Sequence, residues 1–157
     1  MRATELLRQD HEHVHALLDR LERASGDERQ ALLDEIADEL EVHAQIEEEI
    51  FYPAVEGVSG RIEDARAGHD HARSLLGDVE GKSPESQEFV QKAQALKQSV
   101  LAHVAEEEGA IFMEAGRLGA EELERLGQRL EERKQTLKTS LLQKGVRSIK
   151  QAARKVA

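Results

Sequence analysis

The chain has 157 residues, 22 basic against 32 acidic side chains for a net charge of −10, no cysteine, and only 3% aromatics. Its length suits one hydrophobic core. The lack of cysteine excludes disulfides, thiolate metal sites and thiol nucleophiles, and the acidic balance argues against nucleic acid as the main partner.

Ala, Leu, Glu, Gln, Arg and Lys dominate, and proline occurs twice. That composition favours helix and disfavours strand, so the fold class expected is all-α. Charge is unevenly spread. Residues 133–157 contain eight Lys or Arg and no Asp or Glu, so residues 1–132 carry −18, eight more negative than the whole. No apolar stretch is long enough for a membrane span or a signal peptide, and a cytoplasmic location is expected.

The first helix opens at Thr4 and carries a stripe of Leu7, Val14, Leu18 and Leu21, with His11 inside it, before Ser25-Gly26 interrupts the pattern. The second starts at Asp27. Its stripe of Leu33, Ile36, Leu40 and Ile50 has His43 and Glu47 at its centre, and Pro53 and Gly57 mark its end. The third starts at Ser59 and runs to Gly81 through Ala65, His69, Ala72, Leu76 and Val79. The fourth starts at Ser83, with Pro84 at a first helical position, and runs through Leu96, Val100, His103, Glu107 and Ile111 to Gly116 and Gly119. Short loops make consecutive helices antiparallel neighbours, an up-down-up-down four-helix bundle over 1–118. An additional C-terminal helix over 119–143 bears Leu123, Leu126, Leu130, Leu137 and Leu141 and should pack along the bundle or against another subunit. Residues 144–157 read as a basic amphipathic tail, with Val146, Ile149, Ala153 and Val156 continuing a face that begins at Leu142.

An internal repeat organises the first four helices. His11-Glu12-His13-Val14 recurs as His69-Asp70-His71-Ala72, offset by 58 residues; His43 with Glu47 recurs as His103 with Glu107, offset by 60. Each half is a helical hairpin, and stacking the two buries what neither buries alone. Residues four apart share a helix face, so each His-x-x-x-Glu can reach a common ion. Seven histidines in so Glu-rich a chain yield roughly one His-x-x-x-Glu by chance. Two copies in register with two further core-facing histidines exceed that expectation, and a buried carboxylate is usually paired or metal-bound. The candidate metal ligands are therefore His11, His43, Glu47, His69, His103 and Glu107.

His15, one turn beyond His11 at the stripe's edge, is a weaker seventh candidate. His13 and His71 fall on the flanks. Glu48, Glu49, Glu106 and Glu108 diverge from the ligand line as solvated surface, with Glu106 the nearest to the centre. The angular position of Tyr52 assigns it to packing. Four imidazoles with two carboxylates can hold two ions with bridging carboxylates, and neutral imidazole suits Fe, Zn, Cu or Ni. A ferritin-like pattern would need Glu-x-x-His in each half, whereas Glu12-x-x-His15 occurs once.

The pattern His11, His43-x-x-x-Glu47, His69, His103-x-x-x-Glu107 resembles the signature of the hemerythrin HHE cation-binding family. The resemblance extends over about residues 4–135, through the acidic run after each second histidine and the Phe51-Tyr52-Pro53 helix ending. The second half departs from it with Phe112-Met113. In the third helix, Arg73 occupies the position of the extra histidine found in oxygen-carrying members. The resemblance implies two non-haem iron ions joined by an oxo or hydroxo bridge, with zinc as a substitute. It implies dioxygen, another small diatomic or peroxide as the partner molecule. Binding or sensing of dioxygen or iron is the function expected. Reduction of peroxide or nitric oxide is the enzymatic alternative. A third reading is a metal-stabilised interaction protein whose basic tail meets a membrane surface or another protein.

Overall fold

A computed structural model describes the backbone of residues 1–156 and side chains as far as Lys144. Five long helical segments, with no strand among the described residues, make up the fold. Helix α1 is Ala3–Arg23, and two residues later α2 begins, Gly26–Ile46. Helix α2 continues through a π-helical turn, Glu47–Phe51, into a last turn, Tyr52–Val55. Helix α3 is Ile62–Glu80. Helix α4, Gln87–Glu106, repeats the device with a π-helical turn at Glu107–Ile111 and a last turn at Phe112–Ala115. After a 3₁₀ turn and Gly119, whose φ of 90° suits only glycine without strain, α5 runs over Ala120–Val156.

Cross-helix pairs show how the rods lie. Asp10 meets His43 and His13 meets Glu39, so α1 and α2 run in opposite directions. Arg8 meets Glu108 while Asp19 meets Lys97, giving the same relation between α1 and α4. Helices α3 and α4 pack along their length, and α5 lies against α1 and α2. The start of α4 falls at Gln87 instead of Ser83. Ser86 there accepts from the Phe89 amide at 3.1 Å while its own hydroxyl donates to the Ser83 carbonyl at 2.7 Å, so the Ser83-Pro84 segment forms the turn before the cap.

Leu123, Leu126 and Leu130 are buried, anchoring α5 to the bundle. Each contributes about 1.5–3 kcal/mol by leaving water. Past them, Arg133 pairs with Glu49, Lys134 with Asp10 and Lys138 with Glu39, so the first basic residues of the C-terminal region meet the chain's own acidic body. Helix α5 continues past residue 143 without a break. Of the amphipathic face expected on the tail, Leu142 is exposed and the remaining side chains lie outside the described residues. No helix among the described residues is long and apolar enough to cross a membrane.

The interior contains two apolar clusters. One gathers Leu7, Ile46, Phe51, Tyr52, Ile111 and Phe112 with the leucines of α5; the other gathers Val14, Leu18, Leu33, Ile36, Phe89 and Leu96. Between these sequence levels sit His11, His43, Glu47, His69 and Glu107, all buried, and His103, 14% exposed at its side chain.

Candidate metal centre

Burying several ionisable groups at one level of an apolar core is unfavourable unless something compensates them. The six residues singled out by spacing converge there. One imidazole or carboxylate atom from each of His11, His43, Glu47 and Glu107 lies within 4.8 Å of the others, and the same holds for Glu47, His69, His103 and Glu107. The two groups share both carboxylates. Each group thus has two imidazoles and two carboxylates with the spacing to surround one ion, and Glu47 and Glu107 stand where they can bridge a pair.

The contacts among these groups are what a cation would resolve. Nε2 of His11 and Nε2 of His43 lie 3.1 Å apart. Glu47 Oε1 is 2.8 Å from His43 Nε2 and 3.1 Å from His69 Nε2, and Glu107 Oε1 is 3.2 Å from His11 Nε2. Glu47 Oε2, Glu107 Oε1 and His103 Nε2 are buried without a hydrogen-bond partner among the described residues. Unpaired buried polar atoms are costly, and these three belong to the ligand set itself. The donor set therefore fits two metal ions.

Three of the four imidazoles are backed at Nδ1 by a carboxylate, which is in turn held by a cation. His11 Nδ1–H donates to Glu108 at 2.7 Å, and Arg8 holds Glu108 at 3.3 Å. His69 Nδ1–H donates to Glu48 at 2.7 Å, and Arg73 holds Glu48 at 2.9 Å. His43 Nδ1–H donates to Asp10 at 3.1 Å, and Lys134 of α5 holds the other Asp10 oxygen at 2.6 Å. A carboxylate accepts only, so it fixes the proton on Nδ1 and leaves the Nε2 lone pair facing the centre.

Electrostatics follow from this arrangement. Burial opposes charge on His43, yet Glu47 and Asp10 outweigh it and hold the imidazole well above its ordinary value. For His69 burial is likewise overcome, by Glu47 and Glu48. Glu107, despite burial, is held well below the usual carboxylate range by contacts with Glu47, His103 and His11. Asp10 is also lowered, with His43 and Lys134 overcoming its burial.

Several expectations change. His15 does not reach the centre: its side chain is 51% exposed, with Nε2 3.6 Å from Asp19, because the inward stripe passes through Val14 and Leu18. Glu48 and Glu108 are not merely solvated, since they hold His69 and His11. Glu106 is exposed and borders an outer cleft with His71. Tyr52 is fully buried in the centre; its hydroxyl donates to Glu107 Oε2 at 2.5 Å and its ring stacks on His69 at 5.4 Å. Burial, with Glu47 and Glu107 nearby, pushes the phenol well above its usual range and keeps it protonated.

A π-helical turn explains the position of Tyr52. On a regular helix Tyr52 would lie about 140° around from Glu47. The widened turn instead closes Tyr52 N–H onto the Glu47 carbonyl, five residues back, and turns Tyr52 toward the centre. Pro53 is not the cause, because the turn recurs at Glu107–Ile111, where Met113 replaces the proline. Asp10 left no trace in the repeat, because Gly68 stands at the matching position of the second half.

A helical bundle with two overlapping His/Glu ligand sets defines a cation-binding class of protein. Residues 2–115 match the family model of the hemerythrin HHE cation binding domain, and the chain belongs to that family. It is similar to a solved structure of a hemerythrin HHE cation binding domain-containing protein from Mycobacterium kansasii, 27% identical, with a TM-score of 0.85 over 92% of this chain and 91% of that one. It is also 28% identical over 115 residues to a DNA nickase from Nostoc sp.; the match takes in 71% of this chain but only 33% of that protein's length.

Proposed function

We propose that this protein holds a pair of iron ions between α1, α2, α3 and α4, with His11 and His43 on one ion, His69 and His103 on the other, and Glu47 and Glu107 spanning both. The observation that carries this reading is the sharing of Glu47 and Glu107 by the two ligand sets, with one oxygen of each lacking a hydrogen-bond partner. The reading takes the rods as an up-down-up-down bundle with α5 outside it, in keeping with the opposed cross-helix pairs. Bound iron supplies redox chemistry that zinc in the same ligands would not.

The chain's own part is to shape what reaches the ions. A cavity of about 50 Å³ adjoins all four histidines and is lined chiefly by Val14, Leu40, Ala44, Ala72, Leu76, Val100 and Val104. Glu41 and Arg73 also border it, but the mainly apolar lining favours small apolar molecules. This supports binding or sensing of dioxygen, or of a diatomic of similar size.

The test is anaerobic loading with ferrous iron, metal analysis, and cycling between dioxygen and argon. Two irons per chain and a reversible absorbance change are expected. Fewer than two ions would overturn the metal assignment. Sustained consumption of peroxide or nitric oxide over many turnovers would overturn the binding role in favour of an enzyme.

A further inference from the structure

The two halves of the repeat do not support their histidines equally. His11, His43 and His69 each have an Nδ1–carboxylate–cation chain behind them. His103 has none among the described residues. The place where a carboxylate would stand, the counterpart of Asp10 in the other half, is Gly68. His103 Nδ1 presses against it so closely that a Cβ there would sit 2.6 Å away. On its outer side the ring borders a cleft of about 520 Å³ that also meets Asp64, His71 and Glu106. By contrast, the Lys134–Asp10–His43 chain is the most enclosed of the three, with side chains 17%, 7% and 9% exposed. Its cation comes from α5, beyond residues 2–115 that match the family model.

We infer that the two metal positions are unequal: the His11/His43 position is locked through Asp10 by Lys134 of α5, whereas the His69/His103 position exchanges its ion readily on the side of the cleft. Two supported imidazoles serve the first position and one serves the second. A carboxylate behind a ligating histidine fixes the ring and raises its basicity, and losing it weakens metal affinity by about 10- to 100-fold. Asp10 and Lys134 are positioning residues that act through His43. With Lys134 removed, a buried carboxylate oxygen is left unpaired, which drives Asp10 away from the ring.

This inference rests on the paired-ion reading, and zinc separates the two. The full chain is loaded with zinc, the total is counted, and release to an excess of chromogenic chelator is followed with time. Two zinc ions per chain, leaving in two phases of equal size with rates at least about tenfold apart, are expected. Asp10→Asn should speed the slow phase about 10- to 100-fold and leave the fast phase alone. Lys134→Met should act in the same direction, and Lys134→Arg should restore the slow phase. Two ions that leave in one phase, or variants that speed both phases equally, would overturn the inequality while the paired centre stands. Fewer than two bound ions would overturn both. If Asp10→Asn fails to fold, the Lys134 pair decides.

Discussion

Replacing Gly68 with alanine separates metal binding from folding stability in one residue. The added Cβ would lie 2.6 Å from His103 Nδ1, and ordinary contact begins at 3.4 Å, so the ring must retreat by 0.8 Å. Metal-ligand distances tolerate only about 0.2 Å, so the displacement is several times what a ligand can absorb. The ring can move, because it borders the outer cleft and its side chain is 14% exposed. Meanwhile alanine is better than glycine inside a helix by about 1 kcal/mol, which raises the melting temperature of a domain this size by about 2–4 °C, less whatever the ring's movement costs. The metal-free variant should therefore melt within about 4 °C of the parent, while its second ion binds about 10- to 100-fold more weakly. Calorimetric zinc titration and thermal melts with and without chelator measure both quantities. A Gly68→Ala chain that binds two ions with parental affinity would refute the placement of His103 at the centre.

Glu47→Ala and Glu107→Ala should each lower affinity at both positions, whereas His11→Ala should affect chiefly one; metal content after gel filtration distinguishes them. His15→Ala should leave the metal content unchanged, since its side chain is half exposed on the far side of the Val14 stripe. Stability should depend on pH in opposite senses with and without metal. His43 and His69 have raised values in the metal-free fold, so the folded chain keeps protons that the unfolded chain loses above about pH 6.5. Metal-free stability should fall as pH rises from about 6.5 through the raised values. Metal needs the neutral imidazoles, so its stabilising effect should grow over the same window and vanish below about pH 6. Melting curves from pH 5 to 9, with zinc or with chelator, test this; a metal-free chain that gains stability from pH 6.5 to 8 would contradict it.

Much of this architecture was legible in one dimension because it obeys the helical period. His11 and His69 fall in the stripes of α1 and α3, and His43 with Glu47 and His103 with Glu107 occupy one face at a four-residue step. Duplication repeats them at offsets of 58 and 60 residues. Those regularities also marked Leu123, Leu126 and Leu130 as the buried side of α5.

What the period could not reveal is where it breaks or what arrives from another rod. The π-helical turn at Glu47–Phe51 changes the rotation per residue, so Tyr52 turns inward although a regular helix would carry it off the ligand line, while the part-exposed Glu48 and Glu108 meet His69 and His11 of neighbouring helices. Asp10 and Lys134 are 124 residues apart and meet only because α5 packs on α1. Gly68 looks like an ordinary helix glycine until α4 brings His103 against it. Local spacing decided which residues each helix offers to the centre; packing between helices decided which of them are held, and how firmly.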